Sequence, residues 1–346
     1  ARLEPLVEVT QIKGDAEAHP LLSPDDEFAD FETWDFGNLH VLNTVPKEAG
    51  QLEFEYARSA LKLGLREAAR TGTNPFKFGM IGSTDAHTSL ATAAEDDFWG
   101  KTTNVEPGPR SKNASMSLGD TPGRVLFDTW DFVASGYAAV WATENTREAI
   151  FSAMQRKEVY ATTGSRIAVR LFGGWGFDAM DLDRPDAVRH GYRHGVPMGG
   201  DLKSGEGKTP GFLVTAMKDP RGANLDRVQI VKGWLEADGT LKEKVYDVAL
   251  SDGRREYFGR VRPVGSTVDI ETASYSNSIG AANLDAYWED PDFDAAESAF
   301  YYARVIEIPT PRWNVYDRVR LGATVPDGTP ESVQDRAYTS PIWYTP

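Results

Sequence analysis

The stretch GMIGSTDAH, residues 79–87, ends an apolar run in Asp85 and His87. On an extended segment, residues two apart point to one side, so this carboxylate and imidazole can face one point in space. Such a pair suits a divalent ion or a proton transfer. The bland alternative is that Asp85 caps a helix over SLATAAEDDFWG, residues 89–100. Local sequence leaves both readings open.

Glu17 and His19 repeat the acid-x-His spacing, and Pro20 biases His19 toward an extended conformation. With Asp85 and His87 they make a conceivable four-donor set. The remaining imidazoles carry less. His190 and His194 lie in RHGYRHG, where Gly191 and Gly195 disfavour paired ligation from a helix, and the segment reads as a solvated turn. His40 has no telling neighbours. Thr162-Thr163-Gly164-Ser165-Arg166 can hold an anion on backbone N–H groups with Arg166 as a clamp, or simply be a tight connection. The glycines of GGWG at 173–176 match no phosphate-binding fingerprint, and no G-x-S-x-G nucleophile motif occurs.

Composition narrows the chemistry. The 346 residues contain no cysteine, which removes disulfides, thiolate nucleophiles and Cys-based zinc sites together. A net charge of -15 argues against nucleic acid, whose phosphates such a surface repels. No window approaches the ~18 uninterrupted apolar residues of a membrane span. Nine Trp and 40% hydrophobic residues suffice for well-filled cores.

The elements that must position these residues fall into two textures. LVEV at 6–9 reads as a strand, and residues 13–50 as a long polar loop with Pro and Gly punctuation. Residues 51–70 carry a helical stripe through Leu52, Tyr56, Ala60 and Leu63, with Gly72 as the stop. A buried strand over PFKFGMIGS follows, the rhythm of α/β folds with sites at strand C-terminal ends. NTREAIFSAMQRKE reads as a second helix, capped by Asn145. From about residue 165, short β-branched and aromatic runs separated by turn residues predict an antiparallel sandwich. The predicted fold is therefore α/β plus all-β, with domains at 1–164 and 165–346.

The segments IGSTDAHTSLATAAEDDFWGK, VYATTGSRIAVRLFGGW and FYYARVIEIPTPRW resemble an uncharacterised bacterial family of the PHP (polymerase and histidinol phosphatase) superfamily. The resemblance implies the C-terminal portion of a distorted β/α barrel over 1–164, with its N-terminal half absent, followed by the sandwich. It implies a metal-dependent hydrolase in which zinc, manganese or iron activates water against a phosphoester, carbamate or ester. Asp85 and His87 match the superfamily's last ligand motif. Glu8 would line the pocket, and Lys13 and Arg166 would meet substrate charge. The partners expected are a small-molecule substrate and the missing half of the same protein, with no nucleic acid and no membrane insertion. The fragment itself is expected to lack metal and activity, and a periplasmic location is favoured over the cytoplasm. The competing expectation is a non-catalytic module that binds carbohydrate or a partner protein.

Overall fold

The run SAFYYARVIE alternates its side chains between two buried faces, and this one strand organises the molecule. A computed structural model describes residues 3–35, 38–39, 44–45, 47–90, 92–102, 107–108, 115–116, 127–205 and 207–346. Strand Ser298–Glu307 lies at the centre of the largest sheet. It pairs antiparallel with Leu225–Leu235, Arg336–Thr339 and Ile342–Tyr344. Beyond Arg336–Thr339 come Val159–Thr162 and Tyr137–Val140, and Leu241–Leu250 extends the sheet beyond Leu225–Leu235.

Successive residues of a strand face opposite sides, so a strand buried on both faces reads as an unbroken apolar run. Tyr301, Ala303 and Val305 face a second, antiparallel sheet of Gly195–Pro197, Ala168–Gly174, Gly211–Met217 and Asn283–Glu289. There they pack with Val169, Leu171, Phe212 and Val214. Phe300 and Tyr302 face the other way, toward helix α1, Ala57–Thr71, and a small sheet. In that small sheet Leu6–Gln11 runs parallel to Gly79–Gly82 and antiparallel to Gly14–Asp15. The helical stripe of the sequence is real but starts late: residues 49–54 form a 3-10 turn, and Ala57, Leu61 and Leu65 carry the buried face. Gly72 ends the helix at φ 78°. In the second helix, α2 (Arg147–Gln155), Thr146 rather than Asn145 accepts the capping bond from the Ala149 N–H.

The expected β/α barrel is not there. Among the described residues no sheet closes on itself, and the pairing is overwhelmingly antiparallel. The parallel contacts are Leu6–Gln11 with Gly79–Gly82 and the two-residue pairing of Asp201–Leu202 with Ile342–Tyr344. A barrel needs a crossover helix between every pair of strands. Here one such unit, strand–α1–strand, occurs at the start and is not repeated. That unit carries the helix-then-strand rhythm from which a barrel was inferred. The sheet-rich remainder is β-sandwich-like, as the turn-punctuated runs after residue 165 predict. The expected division at 164/165 falls between Val159–Thr162 of the large sheet and Ala168–Gly174 of the second sheet.

The polar loop at 13–35 is held by buried charge. Arg304 donates to Glu17 at 3.1 Å, to Asp26 at 2.6 Å and to Gln229 at 2.8 Å, all from a fully buried guanidinium. Arg58, on α1, also engages Glu17 and, at 2.9 Å, Asp26. Burial would push the Asp26 carboxyl up, but the Arg304 and Arg58 guanidiniums outweigh it and hold it well below the usual range.

Asp15, on the same segment, shifts the opposite way. Burial, reinforced by the Glu17 carboxylate, pushes its carboxyl from 3.8 to about 7, despite the Glu17 N–H bond and Arg336. A raised folded pKa means the native state holds a proton that the unfolded chain has released. The stability linked to Asp15 is therefore complete below about pH 4 and is lost as pH rises through about 7. Asp15→Asn keeps an acceptor for the Glu17 N–H, 2.9 Å away, and carries no charge. Urea unfolding at pH 5 and pH 8 is expected to show the variant gaining stability relative to wild type at the higher pH. An identical difference at both pH values would contradict the assignment.

Candidate functional site

Asp85 leaves strand Gly79–Gly82 with φ 48°, a left-handed conformation that costs a non-glycine residue energy and has to be held by its surroundings. What holds it is charge. Lys13, from the turn between Leu6–Gln11 and Gly14–Asp15, makes a close ion pair with Oδ2. Lys101 reaches the same oxygen at 2.7 Å and also donates to the Asp85 carbonyl. The chain returns alongside through a bond from the His87 N–H to the Lys101 carbonyl, 2.8 Å. His87 places Nε2 3.4 Å from Asp85 Oδ1 and leaves its ring 62% exposed.

Partial burial would raise the Asp85 carboxyl, but hydrogen bonds from Lys101 and Lys13 outweigh it and hold it below the usual carboxylate range. Lys101, only 8% exposed, moves down: burial disfavours its charge and Lys13 repels it, against the pull of Asp85. The helix-cap reading of Asp85 does not hold, because residues 92–100 contain only the 3-10 turn Glu95–Asp97.

A cavity of about 190 Å³ meets the cluster at Lys13, its lining otherwise including Glu8, Gln11, Trp34 and Tyr56. Glu8 accepts a hydrogen bond from Ser83 at 2.9 Å. Four sequence candidates, Glu8, Lys13, Asp85 and His87, thus belong to one region, and Lys101 is the member that sequence reading missed. No local spacing betrays Lys101, since it arrives from the far end of the loop after His87.

The other candidates are committed elsewhere. Glu17 is buried between Arg58 and Arg304. His19 accepts the Leu21 N–H on Nδ1 at 3.1 Å, so its Nε2–H donates to Asp35 at 2.6 Å, and neither nitrogen is open to a ligand. Arg166 is exposed, its guanidinium 5.5 Å from the Tyr137 ring centre. The Thr163 and Ser165 hydroxyls donate to Asp335 and Glu307, so this segment serves carboxylates and is no anion cradle. His190 lies in helix α3, Ala187–His194, 3.1 Å from Asp181, rather than in a solvated turn. His40 lies outside the described residues.

The donors do not fit the expected divalent ion. Both Asp85 oxygens face protein groups, two of them ammoniums that would repel a cation. Among the described residues no three His, Asp or Glu side chains are placed to share a metal.

A family profile described as protein of unknown function (DUF3604) matches residues 1–346. The chain belongs to this family. No curated protein and no solved structure matches it. The PHP resemblance is thereby corrected: membership lies in DUF3604, nothing in the comparisons leads to the PHP superfamily, and the sheet-rich fold is unlike its barrel. Among the family member's described residues, no helix is long and apolar enough to cross a membrane.

Proposed function

We propose that the Lys13–Asp85–Lys101 cluster with His87 is a hydrolytic site for a small anionic ester, a phosphoester or a carbamate. The observation that carries this reading is the convergence of two ammoniums and an imidazole on one strained carboxylate beside a cavity. Strain at a non-glycine residue persists only where the surroundings over-determine it, and such positions concentrate at functional sites.

In this reading the neutral His87 imidazole turns Nε2–H toward Asp85, leaving Nδ1 to take a proton from water as that water attacks the ester. Asp85 orients the ring and stabilises the imidazolium that forms. Lys13 and Lys101 meet the charge that develops on the ester oxygens, and Lys101, with its lowered pKa, can return a proton to the leaving group. The two ammoniums on Asp85 leave a donor arrangement that does not suit a metal.

The test is turnover of 4-nitrophenyl phosphate together with calorimetric binding of inorganic phosphate. His87→Ala is expected to lower turnover by about two orders of magnitude while leaving phosphate binding nearly unchanged. Lys101→Met is expected to weaken phosphate binding at least tenfold. Turnover that survives His87→Ala, or that arises only with an added divalent ion, would overturn the reading.

A further inference from the structure

A second cavity, of about 500 Å³, opens where the 3-10 turn Glu95–Asp97 meets the C-terminal end of strand Ser298–Glu307. Gly164 allows the approach, since a Cβ there would stand 2.2 Å from the Ala93 carbonyl oxygen. The lining brings together carboxylates far apart in the chain, including Glu95, Asp219, Glu307 and Asp335.

Their hydrogen bonding is lopsided. Glu307, 1% exposed, accepts from Ser165 on Oε1 at 2.5 Å, and among the described residues Oε2 has no partner. Asp335, 8% exposed, accepts from Thr163 on Oδ1 at 2.6 Å, and among the described residues Oδ2 has none. Glu95 accepts the Trp313 N–H on Oε2 and leaves Oε1 free. Among the described residues no ammonium or guanidinium forms an ion pair with Glu307 or Asp335, nor with Glu95. The nearby Lys218 ammonium is turned to the carbonyls of Asp219 and Gly222, at 2.9 and 2.8 Å. The guanidinium on the lining, Arg221, belongs to an exposed residue.

Unpaired buried carboxylates are costly unless a partner or a proton neutralises them. Burial pushes both carboxyls up, with repulsion from Asp335 adding at Glu307 and from Glu32 at Asp335, and Asp335 reaches about 6. The charges are spread around a cavity and not focused on a point, since among the described residues no three donors converge as a metal requires. The half-buried rings of Tyr275 and Tyr316 add flat walls that suit methylene spacers and face ammonium groups well.

We infer that this cavity binds an organic polyamine, a ligand whose ammonium groups are separated by short hydrocarbon spacers. Glu307 and Asp335 take one ammonium with their free oxygens, and Glu95 and Asp219 take another. The site is distinct from the Asp85 cluster, where the cations belong to the protein.

Titration calorimetry with spermidine tests it. One-site binding is expected, weakened at least tenfold in Glu307→Gln and in Asp335→Asn, and unchanged in Glu271→Gln, an exposed acid elsewhere. Tyr275→Ala, at the half-buried rim, is expected to weaken binding while leaving thermal unfolding without ligand unchanged, which guards against a folding defect in the acidic variants. Absence of saturable binding would overturn the inference. So would weakening in Glu271→Gln equal to that in Glu307→Gln and Asp335→Asn, or displacement of spermidine by equimolar calcium.

Discussion

Arg304→Met is expected to lower the free energy of unfolding by about 3–5 kcal/mol, the usual cost of leaving buried charges without their partner. The guanidinium is fully buried and engages Glu17, Asp26 and Gln229 at once. Methionine fills comparable volume with an apolar chain, so the loss reports the two stranded carboxylates and not a cavity. Arg58 still faces both acids and limits the damage. Removing the acids as well should therefore recover stability: the triple variant Arg304→Met, Glu17→Gln, Asp26→Asn is expected to be more stable than Arg304→Met alone. The single variant should also be less sensitive to strong acid, because Asp26, left to Arg58 alone, sits less far below its ordinary pKa. The stability tied to Asp26 is present above the ordinary carboxylate range and disappears as pH falls through its lowered native value. Urea titrations at neutral pH and at about pH 3 measure both effects. A loss under about 1 kcal/mol would mean that the network is solvated rather than sealed between α1, the 13–35 loop and the central strand.

Asp85→Asn is the corresponding experiment on function. Under the proposed reading it lowers kcat for 4-nitrophenyl phosphate by about two to four orders of magnitude, the range assigned to a positioned acid–base group. KM should fall as well or stay unchanged. Asp85 neutralises Lys13 and Lys101, and without its charge both ammoniums act on a bound anion at full strength. A collapsed kcat with an unchanged or smaller KM is a pattern that a merely structural Asp85 would not give. If kcat and KM both stay within twofold of wild type, Asp85 is only a brace for the loop. Asp85→Ala adds little, since it also removes the acceptor that holds the backbone at φ 48°.

Parts of this could be read in the chain alone. The helix at 57–71 was legible because its apolar residues recur at helical spacing and Gly72 can take the left-handed C-terminal position. The β texture after residue 165 was legible because strands bounded by turn residues leave a short-range pattern. Asp85 and His87 do stand near each other, but through the left-handed turn at Asp85 and not through the extended segment that the two-residue spacing suggested. Misreadings arose where a local pattern has several global completions. Glu17-x-His19 has the spacing of a ligand pair, yet Glu17 meets Arg304, 287 residues away, and His19 is closed by Leu21 and Asp35. One strand–helix–strand unit looks the same whether or not a barrel follows, because closure depends on strands that the unit does not contain.

The sequence by itself determined the α1 helix, the runs that become strands and the lack of thiol chemistry. Each of these rests on composition or on neighbours within a few residues. Only the tertiary structure decided that two lysines converge on Asp85, that Arg304 neutralises Glu17 and Asp26, and that Glu95, Glu307 and Asp335 share one cavity. These contacts join segments tens to hundreds of residues apart. Their partners are chosen by sheet order and strand register, which hydrophobic periodicity leaves open.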